Sequence, residues 1–286
     1  MTPYRRFEIH QPANLAEASA MLAEFGEEGG IYAGGTELLL AMRHGALSYR
    51  HLVDIKVISG LDAVTLRGDS VEIGAAVTHR NIERSELVRA KVPVLAEMES
   101  HVANIRVRGS GTLGGNLCFA EPHSDPATLL LVLDGQVTVA NAEKSRELGV
   151  QDLIAGAYAN SLAPGEILAS VRVPCLTEIH RAAYLKFQVH ERPTLGLGIW
   201  LETPDGGHNF SGGRVAVGCV CPFPSRSQEA EALLIGTREQ VERRLPEAAE
   251  ILASQADLVS DHEGGADYKR HLIGIFLRRA FLKALE

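Results

Sequence analysis

With 286 residues, 45% of them apolar and 22% charged, the chain has an ordinary globular composition and length enough for two domains. A net charge of −8, with no cluster of Lys and Arg interleaved with aromatics, excludes a nucleic-acid partner, whose phosphates demand a basic footprint. Residues 1–11 hold no apolar secretory core, and no apolar run approaches the ~20 residues that cross a bilayer, so a cytoplasmic protein without a membrane span is expected.

In chain order, residues 7–10 read as a short strand. Asn14 offers an N-cap side chain and Glu17 completes a capping-box pattern. Leu15, Ala18, Leu22 and Phe25 then follow at helical spacing, and Gly29-Gly30 is expected to stop the helix. A strand at 31–33, a break at Gly34-Gly35, a helix at 36–44 and a strand at 52–55 complete a β-α-β-(Gly-Gly)-α-β unit. Residues 64–66 and 71–74 predict a hairpin around Gly68-Asp69-Ser70, followed by a helix over 79–90. A glycine-rich loop at 109–115 precedes Asp125 and a helix over 126–133, then strands at 136–140 and 167–173. Pro174 and the polar residues 177–181 mark a boundary. Beyond it come strands at 184–189, 195–202 and 214–221, then helices at 228–234, 241–253 and 268–285, the segregated order of an α+β domain.

Cys118, Cys175, Cys219 and Cys221 lack the C-x-x-C spacing of zinc or iron–sulfur sites and read as free buried thiols in a reducing compartment. Cys219 and Cys221, two apart in an apolar run, are expected on one strand face. His10, His44, His51, His79, His101 and His123 show no metal-ligand spacing, so no metal site is expected.

Three stretches carry candidate chemistry. In Ala33-Gly34-Gly35-Thr36-Glu37-Leu38-Leu39, glycines allow close backbone approach and a following helix N-terminus favours negative charge; an ordinary tight turn is the alternative. The stretch is neither a Walker A loop nor G-x-G-x-x-G. Gly109 to Asn116 concentrates four glycines, two hydroxyls and an amide, either as an anion-binding nest or as a flexible loop. Two such turns in one chain favour a diphosphate, which needs donors from more than one side. In Pro122-His123-Ser124-Asp125-Pro126, Asp125 is placed either to N-cap the next helix, which its position favours, or to accept from ligand hydroxyls.

Ala33-Gly34-Gly35-Thr36, Thr112-Leu113-Gly114-Gly115-Asn116 and Ser124-Asp125 resemble the paired FAD loops of the molybdenum hydroxylase flavoproteins. These include the medium subunit of aerobic carbon monoxide dehydrogenase and the FAD domain of xanthine dehydrogenases. The likeness continues, in order, through Glu166-Ile167-Leu168, Tyr184-Leu185-Lys186-Phe187, Asp267-Tyr268-Lys269-Arg270 and Arg278-Arg279-Ala280. It implies an α+β architecture: a split FAD-binding domain of the vanillyl-alcohol-oxidase (PCMH) type over residues 1–176, in parts meeting near 56/57, and a smaller α+β domain over 177–286. It also implies that Ala33 to Leu39 cradle the FAD diphosphate, that Thr112, Gly114, Gly115 and Asn116 close the other side with Ala76 and Val102 nearby, that Asp125 takes ribityl or ribose hydroxyls, that Leu168 packs on the cofactor, and that Lys186 approaches the flavin ring.

FAD held non-covalently would then carry electrons from [2Fe-2S] clusters on a small partner subunit, fed by a molybdopterin site on a large one, to NAD, a quinone or oxygen. The implied assembly is a heterotrimer or a dimer of heterotrimers. The iron–sulfur insert of 4-hydroxybenzoyl-CoA reductase flavin subunits is missing. A stand-alone FAD-dependent reductase resembling UDP-N-acetylenolpyruvylglucosamine reductase is the alternative, and a nucleotide-binding assembly protein without flavin is a third reading.

Overall fold

Three principal sheets, each produced by a different local pattern, carry the fold in the computed structural model, which describes residues 6–190 and 192–286. The first is parallel, with order β1-β3-β2, from β1 (Glu8–His10), β2 (Gly29–Tyr32) and β3 (His51–Asp54). Between β1 and β2 runs α1 (Leu15–Phe25), whose N-cap Asn14 accepts from Glu17 N–H at 2.9 Å. The Glu17 carboxylate bonds the N–H of Ala13 at 2.7 Å, one residue before the cap, so the capping box closes a position early. Gly26, at φ +52°, ends the helix; Gly29 and Gly30, expected as the stop, open β2 instead.

The second sheet is antiparallel, with order β4-β5-β8-β6-β7, where β4 is Val64–Arg67, β5 Ser70–Gly74, β6 Gln136–Ala140, β7 Ser145–Gly149 and β8 Ile167–Pro174. β6 shows the period-two alternation of one buried face, with Val137 and Val139 inside. β4 and β5 form the expected hairpin, with Gly68 at φ +61°. Between β5 and β6 lie six helices of six to eight residues each: α3 (His79–Arg84), α4 (Glu86–Lys91), α5 (Pro93–Ser100), α6 (Ile105–Ser110), α7 (Leu113–Phe119) and α8 (Asp125–Val132). Ser85 divides the single helix expected over 79–90, its extended backbone ending α3 and its hydroxyl capping α4. The loop expected over 109–115 is largely helical: Gly109 belongs to α6, and Gly114 and Gly115 belong to α7.

The third sheet, β9-β10-β11-β12, comprises β9 (His180–Gln188), β10 (Pro193–Glu202), β11 (Gly212–Gly218) and β12 (Ser225–Arg226), all antiparallel. β10 is buried along both faces because helices cover both sides. One face meets α9 (Gln228–Ala232), α10 (Arg238–Gln255) and α11 (Ala266–Ala284) in a core that includes Leu197, Ile199, Leu245, Ile273 and Phe281. Onto the other lies α8, buried at every residue and joined in one core with Trp200 and Ala216. A Cβ on Gly198 would come within 3.1 Å of Val132, and one on Gly218 within 2.0 Å of Thr128 Oγ1, so these glycines set how closely α8 sits. β11 ends at Gly218, and Cys219 takes φ +66°; the two neighbouring cysteines therefore leave the strand rather than sharing its face. Burial pushes the Cys221 thiol up to about 12.

Candidate functional site

β2 runs out at Ala33 into the first glycine turn, which enters α2 (Leu38–Arg43). Gly35 sits at φ +70°, and a Cβ there would lie 2.5 Å from the Tyr32 ring, so only glycine fits. Gly34 has a different reason: its Cβ would fall 2.4 Å from the Ser110 carbonyl oxygen and 2.6 Å from Gly111 Cα. A Cβ on Gly111 would lie 3.4 Å from Thr36 Oγ1, and one on Gly115 3.8 Å from Ala33 Cβ. The two glycine-rich segments, more than seventy positions apart, therefore meet in space.

Their backbones do different work. Among the described residues, the N–H groups of Gly34, Gly35, Thr36, Glu37 and Leu38 have no protein acceptor; the first intrahelical bond here is Leu39 N to Gly35 O at 3.1 Å. Five consecutive free donors in a half-buried turn are a strong demand for an external acceptor. In the second segment the donors of Leu113 to Asn116 are all taken, and only Thr112 N–H is without a protein acceptor among the described residues. Leu113 N–H bonds Val77 O (3.0 Å), Gly114 N–H bonds Ala75 O (3.0 Å), Gly115 N–H bonds Thr112 Oγ1 (3.1 Å), and Asn116 N–H bonds Thr112 O (2.9 Å). None of Gly109, Gly111, Gly114 and Gly115 has a positive φ, so there is no nest here. The segment is a wall, with Gly114 pressed within 2.7 Å of Ala75 O at the position a Cβ would occupy. The turn at Ala75 and Ala76, with Val77 and Thr78 after it, backs this wall, and Ala76 is buried, its N–H bonded to Leu61 O.

Asp125 is not the N-cap that its position suggested. Ser124 holds that place, makes no capping bond, and donates its hydroxyl to Asn116 Oδ1 at 2.6 Å. Asp125, 4% exposed, accepts from the Tyr184 hydroxyl at 2.8 Å through one oxygen and from Lys186 Nζ at 3.0 Å through the other. Both partners lie on β9, two residues apart and hence on one face. Lys186 also donates to the carbonyl of His101, beside Val102, so it is no free surface lysine. Burial and the Asp125 charge push the Tyr184 hydroxyl well above the ordinary phenol value. Val102 and Leu168 are core residues at 6% and 2% exposure, offering a ligand almost no side-chain surface. Leu168 contributes through its chain neighbour: Ala169 O accepts from Ala75 N–H, anchoring the wall.

A charged cluster that sequence reasoning missed borders the first turn. Glu121 pairs with Arg192 and bonds His123 Nδ1 at 3.0 Å, while His123 Nε2 faces Asp261 at 3.7 Å and Asp261 pairs with the fully buried Lys269 at 2.6 Å. Glu37 is pushed up by burial, with the Arg192 charge opposing and the Glu121 charge adding. Glu121 and His123 share one turn, but Glu37, Arg192, Asp261 and Lys269 come from elsewhere in the chain, so no spacing announces the cluster; Tyr184 alone was signalled, by its i, i+2 relation to Lys186.

A model of the FAD binding domain in molybdopterin dehydrogenase matches residues 5–176, and a CO dehydrogenase flavoprotein C-terminal domain model matches residues 184–284. The chain belongs to this flavoprotein family. The carbon monoxide dehydrogenase medium chain of Afipia carboxidovorans is 30% identical over 280 residues, covering 97% of this chain and 96% of that one. The nicotine 6-hydroxylase medium subunit of Paenarthrobacter nicotinovorans is 30% identical over 273 residues, with 96% and 95% covered. The solved carbon monoxide dehydrogenase of Hydrogenophaga pseudoflava superposes with a TM-score of 0.92 at 29% identity, over 99% of this chain and 98% of that one. This flavoprotein thus has the two-domain FAD-binding fold of carbon monoxide dehydrogenase medium chains and is an oxidoreductase subunit with FAD as its cofactor. No helix among its described residues is long and apolar enough to cross a membrane.

Proposed function

We propose that this chain holds FAD non-covalently between the two glycine segments and passes electrons from [2Fe-2S] clusters on a small partner subunit to NAD, a quinone or oxygen, the electrons originating at a molybdopterin site on a large partner subunit. The run of five unpaired backbone donors from Gly34 to Leu38, closed by the Gly111 to Asn116 wall, carries the reading. A diphosphate is an acceptor that such a run fits, and FAD supplies the capacity to take up and release electrons when bound. In this reading Ala33 to Leu39 grip the diphosphate, Thr112, Gly114, Gly115 and Asn116 shape the opposite wall, and Asp125 and Lys186 address the ribityl and flavin portions. Ala76, Val102 and Leu168 support the wall from behind. The FAD-binding domain is assigned to residues 1–176, with parts meeting near 56/57, and the C-terminal domain to 177–286. The chain is cytoplasmic, within a heterotrimer or a dimer of heterotrimers, a placement that its four free thiols suit.

The test is purification of the complex from its native source, with metals assayed. Absorbance near ~450 nm together with co-eluting molybdenum and iron is expected. A yellow, fully active lone chain without either metal would remove the relay.

A further inference from the structure

The described residues bring one group of metal-ligating side chains together, and it lies away from the glycine turns. Glu8 and His10 are two apart on β1 and so share a face, and the parallel register sets Glu8 beside His51, the first residue of β3. His10 Nε2 is 3.0 Å from His51 Nδ1, and a Glu8 carboxylate oxygen is 3.9 Å from the same His51 nitrogen. Each residue offers one ligand atom, and all three atoms fall within 4.8 Å of one another. Phe25, at the end of α1, stacks on the His51 ring at 4.2 Å and 18° and lies 4.7 Å from the His10 ring, so both imidazoles are held in place.

Tetrahedral bonds of ~2.0–2.1 Å require ligand-to-ligand separations of roughly 3.3 Å, and the observed 3.0 and 3.9 Å bracket that value. A hydrogen bond between the rings uses one proton, with one neutral imidazole donating and the other accepting, and leaves the neighbouring carboxylate unexplained. Two imidazoles and a carboxylate are the donor set of borderline divalent ions; calcium and magnesium prefer all-oxygen shells. We propose that Glu8, His10 and His51 bind one divalent cation of the zinc class, with solvent at the fourth position, clipping the three-residue edge strand β1 to β3. Glu8 and His51 open β1 and β3 and His10 closes β1, whereas the free amides follow the C-terminal end of β2 and include none of these three residues, so the cation site and the FAD reading stand or fall separately.

Calorimetric titration of the full-length chain with zinc chloride tests this. One equivalent is expected to bind at about pH 7.5, weakening more than about tenfold in His10→Ala and in His51→Ala. Glu8→Gln should weaken binding less, and FAD uptake should be unchanged in all three variants. Equal zinc affinity in wild type and His51→Ala, or no zinc binding by the wild type, overturns the proposal. Zinc-edge anomalous scattering from wild-type crystals decides it without mutation: a peak among these three side chains supports the site, and a peak elsewhere or none rejects it.

Discussion

Gly35 concentrates two constraints in one residue, a φ of +70° and the Tyr32 ring at the place a Cβ would occupy. Gly35→Ala combines left-handed strain of roughly 1–2 kcal/mol with displacement of Tyr32, and it should cut FAD affinity at least about tenfold. Fluorescence titration of free FAD against the purified chain reads this directly, and unchanged affinity would show that the turn's shape is not what holds the ligand. Lys186 and Asp125 predict opposite signs. Lys186→Met removes a cation near the proposed flavin position and should lower the flavin midpoint potential, whereas Asp125→Asn removes the carboxylate that offsets Lys186 at 3.0 Å and should raise it. Potentiometric titration of both variants checks the pair; shifts of the same sign would break the assignment. Lys186→Met also leaves Asp125 with Tyr184 as its hydrogen-bond partner, and the usual cost of breaking a buried pair is ~3–5 kcal/mol, so some loss of stability accompanies it. Glu166 gives a pH dependence. Hydrogen bonds from Arg146 and from Ala163 N–H hold its carboxyl down at about 2, against an ordinary 4.5. A depressed folded value means stability that is complete above the unfolded value and lost as pH falls toward about 2. Acid unfolding of Glu166→Gln should therefore be less steep between about pH 4.5 and about pH 2 than that of the wild type.

At the scale of elements, α8 depends on glycines opposite it. Gly218→Ala drives a methyl to within 2.0 Å of Thr128 Oγ1 and should destabilise by ~1–3 kcal/mol, as overpacking does. Thr128→Ala should recover part of that loss in the double variant, because its buried hydroxyl has no hydrogen-bond partner among the described residues to forfeit. Thermal melts of the single and double variants measure the coupling, and strict additivity would count against the contact. Elements with a strong period were legible from sequence: the alternation in residues 136–140 gave β6, and the spacing from Leu15 to Phe25 gave α1. The helices α5, α6 and α7 were not. Glycines at 109, 111, 114 and 115 signal a loop, yet the Asn104 and Thr112 caps and the bonds to Ala75 and Val77 hold all but the extended Gly111 helical. The glycine turns of the site were visible as composition. Their division of labour was not, because which amides stay free depends on partners from Ala75 to Val77, remote in sequence. For Asp125, local position argued for a cap, and a strand sixty residues away claimed both oxygens.

Across the whole molecule, ligand binding and stability are linked. At free FAD about a hundredfold above its dissociation constant the folded state gains about 2.7 kcal/mol, which at ~2–4 °C per kcal/mol for a chain of this order of size raises the melting temperature by roughly 5–10 °C. Differential scanning of the chain with and without FAD reads this, and an unmoved transition would mean that the nucleotide does not prefer the folded form. The long-range ties that carry such an effect run through Asp125, which joins the first half of the chain to β9, and through Asp261, which joins His123 to the buried Lys269.

The wall behind the first turn has committed the amides of Leu113 to Asn116 to Ala75, Val77 and Thr112, and that has a kinetic side. Its contour is already rigid before any nucleotide arrives, so the entropy lost on capture falls almost wholly on Gly34 to Leu38. Capture should therefore slow when that short run is made floppier, and remain fast when the exposed Arg106 on α6 is altered.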